Sequence, residues 1–318
     1  MRGAFLDFQT VSFEGDVNPA PLQAVMDELQ LWPTTSAVEL REHCADAEVL
    51  FSNKVKLDRG LIESLPNLKL ICLAATGTNN VDLSAAGERS VAVCNVVSYC
   101  TAAVAQHVFA LILSLNQHLG EYGALLASGA WKRAPQFTLL DYPIRELSGR
   151  VMGIVGYGEL GSAAAKLAEA FGMRVLIAAR NEGDRRPGRI PLSELLPQCD
   201  VLSLHCPLTS ENRGLIGKAQ LARMKPDALL INTARGALVD EHALADSLKA
   251  GQLGGAGIDV LSEEPPVHGN PLLEPGIPNL IVTPHVAWAT REARQRVIDE
   301  MAKNIEAFIK GEKRNRVV

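Results

Sequence analysis

Val151-Met152-Gly153-Ile154-Val155-Gly156-Tyr157-Gly158-Glu159-Leu160-Gly161 is an apolar run that leads into Gly-x-Gly-x-x-Gly, and an alanine-rich helical stretch follows from Ser162 to Phe171. Strand, glycine turn and helix in that order are the context a dinucleotide fingerprint requires. Gly156 permits the tight turn, Gly158 lets the backbone approach a pyrophosphate, and Gly161 lets the helix pack closely on the strand. The helix start at Glu159 and Leu160 turns its unpaired N–H groups toward the phosphates. A glycine turn before a helix is common and says little alone; here a second strand, Met173 to Ala179, also falls at the right spacing.

Dinucleotide folds often end that second strand in Asp or Glu, which bonds the adenosine 2′-hydroxyl. This one ends Ile177-Ala178-Ala179-Arg180-Asn181. An arginine attracts a 2′-phosphate that an acid would repel, so Arg180, with Arg185 or Arg186 nearby, points to NADP(H) over NAD(H). An Arg180 that merely stacks on adenine would not choose between them.

The 318 residues suit one oversized domain or two ordinary ones, and an apolar fraction of 47% is ample for buried cores. A net charge of -5 argues against a nucleic-acid surface. The N-terminal run carries Asp7 and reads as a strand, not a signal peptide. No uninterrupted apolar stretch is long enough to span a bilayer. The six cysteines show no Cys-x-x-Cys and no paired histidine ligands, so reduced thiols in a cytoplasmic protein without a metal are expected.

In the first hundred residues, strands are expected at Gly3–Phe8, Val49–Ser52, Leu68–Leu73 and Val91–Cys94, with helical stretches over Pro21–Leu29, Asp58–Leu65 and Val81–Glu88. Such alternation predicts a parallel sheet with helices on both faces. The small-residue turn Ala75-Thr76-Gly77 ends one strand, where its N–H groups could hold a carboxylate; a plain loop fits equally well. Thr101 to Leu119 reads as a long apolar helix. Glu121 to Leu147 shows no clean period, and its Trp131 and Phe137 make it a candidate dimer surface. Further strands are expected at Val151–Val155, Arg174–Ala179, Val201–Leu204, Ala228–Ile231, Gly255–Ile258 and Leu280–Val282, with a helix over Asp240–Lys249. The amphipathic stretch Thr290 to Ile309 most economically returns to the first unit. The fold class is therefore α/β with two parallel-sheet domains, residues 100–286 forming a dinucleotide-binding Rossmann domain inserted in a substrate domain of residues 1–99 and 287–318.

Three polar segments follow strands in the last third: Asn232-Thr233-Ala234-Arg235-Gly236, then Asp259 through Glu264-Pro265, then Thr283-Pro284-His285. In an open parallel sheet all three emerge on the edge that carries the glycine turn. Hydride transfer to a 2-keto acid needs a proton donor, a carboxylate clamp and carbonyl polarisation. His285 suits the donor, since imidazolium is available near neutral pH. Glu264 beside it would favour the charged ring. Arg235 offers a forked guanidinium to a carboxylate or carbonyl oxygen. Taken singly, each also fits a structural role: an arginine capping a loop, a glutamate in a surface turn, a histidine packed on Trp288.

With Leu204-His205-Cys206-Pro207-Leu208-Thr209 and Gly257-Ile258-Asp259-Val260 added to these words, the chain resembles the D-isomer-specific 2-hydroxyacid dehydrogenase family over nearly its whole length. The resemblance implies a catalytic set of Arg235, Glu264 and His285, with His285 as acid/base. It implies that Asp259 holds the nicotinamide carboxamide and that Thr101, Cys206, Thr233, Ala234 and Arg235 line the cofactor site. It implies that the backbone from Ala75 to Gly77 binds the substrate carboxylate, that a flavodoxin-like substrate domain holds the inserted dinucleotide domain, and that the protein forms a homodimer. His285-Val286-Ala287-Trp288-Ala289-Thr290 and Ala74-Ala75-Thr76-Gly77-Thr78 look most like glycerate dehydrogenases, also called hydroxypyruvate reductases. Two positions depart from the usual pattern: Gln106 stands where many members carry glutamate, and Arg180 replaces the acid. The expected reaction is reduction of hydroxypyruvate or glyoxylate to D-glycerate or glycolate, with closure of the two domains excluding water. A phosphoglycerate dehydrogenase or a broad 2-keto-acid reductase is the alternative within the class, and a dinucleotide-sensing corepressor-like protein the alternative outside it.

Overall fold

Leu70-Ile71-Cys72-Leu73 is apolar at every position, and all four side chains are buried, as a strand covered on both faces requires. It is β4 of the first sheet, with β1 Arg2–Phe5, β2 Glu28–Leu31, β3 Val49–Ser52 and β5 Ala92–Cys94, ordered β2-β1-β3-β4-β5. All four pairings are parallel, with Phe51 beside Cys72 and Cys72 beside Cys94 in register. The computed structural model describes residues 1–181 and 183–318. Contacts divide them into two units, Met1–Cys100 with Trp288–Val318, and Thr101–Ala287.

The first unit has the flavodoxin-like strand order. Asp58 and Asp82 cap its helices Arg59–Ser64 and Leu83–Glu88, accepting from Leu61 N and Ala85 N at 2.9 Å each. Val81 and Asp82 therefore lie outside the helix expected from Val81. The late helix Arg291–Ile309 belongs to this unit and buries Val297, Ile298, Met301 and Ile305 along one stripe. Its Arg294 grips Asp16 with two bonds of 2.7 and 2.6 Å.

Two further departures from the sequence expectations lie here. The helix expected over Pro21–Leu29 is only Ala20–Gln23, and the chain then enters β2, which pairs with β1 from Arg2↔Glu28 to Phe5↔Leu31. β2 is an edge strand with alternating exposure, so Glu28 and Gln30 weaken its apolar signal, and pairing overrides propensity. The first strand stops at Phe5 because Asp7 turns inward. Its carboxylate, 4% exposed, accepts the N–H groups of Asn53 (2.9 Å), Lys54 (2.6 Å) and Val55 (3.2 Å). Burial raises the Asp7 carboxyl above its ordinary value, and those three N–H groups only partly offset it.

The second sheet contains β6 Val151–Val155, β7 Arg174–Ala178, β8 Arg189–Ile190, β9 Val201–Leu204, β10 Leu229–Asn232, β11 Gly255–Ile258 and β12 Leu280–Val282. Its order, β12-β11-β10-β9-β6-β7-β8, is the doubly wound Rossmann arrangement with one further strand, and the order reverses between β6 and β9. The helix Thr101–Asn116 packs on it, with Leu111 against the bare face of Gly257 and Phe109 stacked on Phe171 at 5.0 Å. That helix ends short of the expected Leu119; His118 takes a left-handed φ of 51° and a new helix, Leu119–Ala127, begins. The apolar residues beyond it are exposed: Trp131 53%, Phe137 88%, Leu140 82% and Ile144 50%.

Candidate active site

At the reversal point of the second sheet, β6 delivers the chain into Gly156, whose φ is 92°. A Cβ there would lie 2.5 Å from the backbone nitrogen of Cys206, and one on Gly161 would lie 2.1 Å from the Gly156 carbonyl oxygen. Neither position accepts a side chain. A Cβ on Gly158 would meet nothing within 4 Å, so the space above the turn is open. Gly158 is also the N-cap of the helix Glu159–Ala170 and supplies no side chain to cap it, so the start of that helix faces the turn. Thr233 contributes a buried hydroxyl with no hydrogen-bond partner among the described residues. Tight glycines below, an open face above and a helix start at the turn are what a dinucleotide's pyrophosphate needs.

Several expected cofactor contacts are tied to one another. Thr101 Oγ1 donates to the Glu159 carboxylate. Cys206 is half-buried, and burial pushes its thiol up, which disfavours the nucleophilic thiolate. Arg180 is exposed, and its backbone N–H donates to Asp184 at 2.8 Å. Asp184 also takes both Nε and Nη2 of Arg186, at 2.8 and 2.6 Å. Arg186 is thus paired with an acid. A different cation was missed in the sequence. Arg189, on edge strand β8, lies 4.9 Å over the ring of Tyr157 inside the glycine turn, and its buried Nε and Nη1 have no hydrogen-bond partner among the described residues. Two-residue strands leave no periodic signal, so nothing in the sequence set Arg189 apart from its basic neighbours.

Beyond β10, the buried amide of Asn232 shapes the next loop: its Oδ1 accepts from Ala234 N at 3.0 Å and its Nδ2 donates to the Arg235 carbonyl at 2.9 Å. That turn leaves Arg235 exposed, with Nη1 donating to the Ala234 carbonyl at 2.7 Å. A Cβ on Gly236 would lie 2.0 Å from the Leu261 carbonyl carbon, so the loops after β10 and β11 lie against each other.

Glu264 uses both oxygens. Oε1 accepts the Leu261 N–H at 2.8 Å, and Oε2 lies 2.6 Å from His285 Nδ1. The imidazole is partly exposed, and its backbone is in the left-handed region at φ 54°, uncommon for a residue with a Cβ. Asp259 holds it there. Its carbonyl accepts the His285 N–H at 2.8 Å, and its carboxylate accepts Thr283 Oγ1 (2.6 Å), Val286 N (2.9 Å) and Ala287 N (2.9 Å). His107 Nε2 adds a 3.0 Å contact to Thr283 Oγ1. Expected from the resemblance to meet a carboxamide, the Asp259 side chain is 1% exposed and spends its oxygens fixing the 283–287 loop. The second unit therefore brings Glu264 and His285 into contact and sets Arg235 on the adjoining loop. Among the described residues, no group of three or more His, Cys, Asp or Glu could hold a metal, and no helix is long and apolar enough to cross a membrane.

Residues 109–287 match the family model described as D-isomer specific 2-hydroxyacid dehydrogenase, NAD binding domain. The chain belongs to the D-isomer specific 2-hydroxyacid dehydrogenase family. Across the family it is 45% identical over 282 residues to a glycerate dehydrogenase of Methylorubrum extorquens, covering 89% of each chain. It is 39% identical over 307 residues to a hydroxypyruvate reductase of Blautia hydrogenotrophica, covering 93% of this chain and 94% of that one. Among solved structures, an acyclic imino acid reductase in complex with NADPH and D-Arg is similar over the full length of both chains, with a TM-score of 0.86 and 26% identity. The two parallel sheets and the inserted position of the second unit are those of this dehydrogenase fold.

Proposed function

We propose that the chain reversibly reduces hydroxypyruvate or glyoxylate to D-glycerate or glycolate, with NADP(H) preferred over NAD(H). The observation that carries the reading is the 2.6 Å contact between His285 Nδ1 and Glu264 Oε2, set at the strand ends of a dinucleotide-type sheet. The similarity to relatives named for glycerate and hydroxypyruvate supports the substrate class.

Bound dinucleotide supplies the hydride. His285, with Nδ1 committed to Glu264, gives its proton from Nε2 to the carbonyl oxygen, and takes it back in the reverse direction. Glu264 stabilises the imidazolium and fixes the tautomer, and Leu261 N–H keeps that carboxylate in place. Arg235 polarises the carbonyl and pairs with the substrate carboxylate. The backbone N–H groups of Thr76 and Gly77, with Ala75, receive a carboxylate. In this reading residues 100–286 form the cofactor domain and residues 1–99 with 287–318 the substrate domain.

For the cofactor, Gly156, Gly158 and Gly161 shape the pyrophosphate cradle, with the N–H groups of Glu159 and Leu160 as donors. Thr101, Cys206, Thr233 and Ala234 line it. Arg180 attracts the 2′-phosphate, and a relative of this fold carries NADPH. We further infer a homodimer built on the exposed Trp131, Phe137, Leu140 and Ile144, an apolar surface that a monomer has little reason to present. Cytoplasmic residence fits the free cysteines.

Oxidation of NADPH and NADH, followed in parallel with hydroxypyruvate, tests the proposal. Turnover with NADPH favoured is the expected result. NADH preference would leave the reaction and remove Arg180 as a 2′-phosphate ligand, and no turnover with either would overturn the reading.

A further inference from the structure

The loop after β4 has its carbonyls tied down on one side. The Ala75 carbonyl accepts the Val96 N–H at 3.1 Å, the Thr76 carbonyl accepts Asn95 Nδ2 at 2.8 Å, and Thr76 Oγ1 donates to the Val96 carbonyl at 2.7 Å. A trans peptide is planar, so its C=O and N–H point in opposite directions. With the carbonyls of Ala75 and Thr76 drawn toward residues 95–96, the N–H groups of Thr76 and Gly77 turn the other way. Neither bonds an acceptor among the described residues.

Asn95 is itself built in. It is 8% exposed, its backbone N–H donates to the Asn315 carbonyl at 3.1 Å, and its own carbonyl accepts Asn304 Nδ2 at 2.9 Å. Asn304, on the helix Arg291–Ile309, is 1% exposed. Its Oδ1 accepts Arg314 Nη1 at 2.7 Å and Asn315 Nδ2 at 3.2 Å, which fixes the amide with Nδ2 toward Asn95. Arg314 is anchored in turn by an ion pair with Glu300. The segment carrying these donors runs antiparallel along β5, where Val317 N donates to the Val93 carbonyl at 2.8 Å. A chain of bonds thus leads from Arg314 through two buried amides to one peptide plane.

We propose that Asn95 is a positioning residue for carboxylate binding: by fixing the Thr76 carbonyl it holds the Gly77 N–H toward the ligand, with Asn304 and Arg314 holding Asn95. This rests on the reading of residues 75–77 as the carboxylate site. A peptide free to turn over presents its carbonyl to an anion for part of the time, and apparent affinity falls by the fraction of molecules in the wrong orientation.

Asn95→Ala removes the donor and keeps the backbone. In the full-length enzyme, KM for hydroxypyruvate should rise about 5- to 20-fold while kcat stays within about threefold and the Kd for NADH, read by fluorescence titration, is unchanged. Arg314→Ala should raise KM by a smaller factor, with Arg314→Lys recovering part of the loss; this pair also carries the test if Asn95→Ala does not fold. Gly77→Pro, which deletes the N–H itself, separates the two levels. Unchanged KM in Gly77→Pro removes the carboxylate site and the proposal together. Raised KM in Gly77→Pro, with Asn95→Ala or the Arg314 pair altering only the melting temperature, leaves the site and overturns the role of Asn95.

Discussion

Two loops at strand ends, one in each unit, are held from beneath by a buried polar side chain, and they are held in opposite senses. Asp259 is an acceptor, so the loop after β12 turns its N–H groups of Val286 and Ala287 inward and commits them. Asn95 is a donor, so the loop after β4 turns a carbonyl inward and leaves N–H groups facing out. The first loop presents a side chain, His285, to Glu264, and the proposed proton transfer needs its backbone immobile. The second has no ionisable side chain between Ala74 and Asn80, and meets an anion through neutral donors, its backbone N–H groups among them. The sign of the buried holder decides which face of the peptide is available.

Breaking the side-chain loop should have the largest effect. Replacing His285 by alanine removes the proposed acid, and kcat should fall about 10²- to 10⁴-fold with NADH affinity preserved. Turnover within tenfold of the native enzyme would take the proton-transfer role from His285. Next comes Arg235→Ala. A charged hydrogen bond contributes roughly 1.5–3 kcal/mol, so KM for hydroxypyruvate should rise about 10- to 100-fold. An unchanged KM would remove Arg235 from substrate binding.

Inverting a holder sharpens the comparison. Asp259→Asn puts an NH₂ group against donors that the carboxylate accepts, leaving at least one of Thr283 Oγ1, Val286 N or Ala287 N unmet. A kcat loss of about tenfold is expected, with melting lowered by the equivalent of about 1–3 kcal/mol for the unpaired buried donor. Steady-state rates and calorimetry on the same preparation check both, and a stability loss with native kcat would make Asp259 a purely architectural residue.

The smallest effect concerns a second histidine at a strand end. His205 follows β9, shares a 2.9 Å bond with Ser203 Oγ, and is pushed down to about 4 by burial. The folded protein keeps it neutral where the unfolded chain takes up a proton near pH 6.5. The unfolded state therefore binds more protons in that window, and stability should fall as pH drops from about 6.5 to about 4, by at most about 1.4 kcal/mol per pH unit. Urea unfolding of the native protein and of His205→Gln at pH 7 and pH 5 reads this difference; an equal pH response in both would exclude His205 as the source.

Much of this was legible because the strands of a doubly covered sheet are nearly continuous apolar runs, and β6, β9, β11 and β12 fall where their residues predict. The glycine turn was legible for a steric reason: two of its positions accept no Cβ. Hidden from the sequence were the elements whose character comes from neighbours. Edge strand β2 looks helical until it pairs with β1. Arg189 is one basic residue among several until the sheet sets it over Tyr157. Asn95, Asn304 and Arg314 are far apart in the chain, and no spacing rule joins them. Asp259 could be placed in the site by resemblance, yet which way its carboxylate faces is decided only by the folded loop around it.

The inward turn of Asp7 bears on stoichiometry. A flavodoxin-like sheet offers its nucleotide crevice where the strand order reverses, here between β1 and β3. The N–H groups that a phosphate would seek at that point, those of Asn53, Lys54 and Val55, already serve a carboxylate from the chain itself. At its reversal point the first sheet carries an anion of its own, where the second carries the glycine turn. A molecule with two parallel sheets should therefore titrate with a single equivalent of dinucleotide.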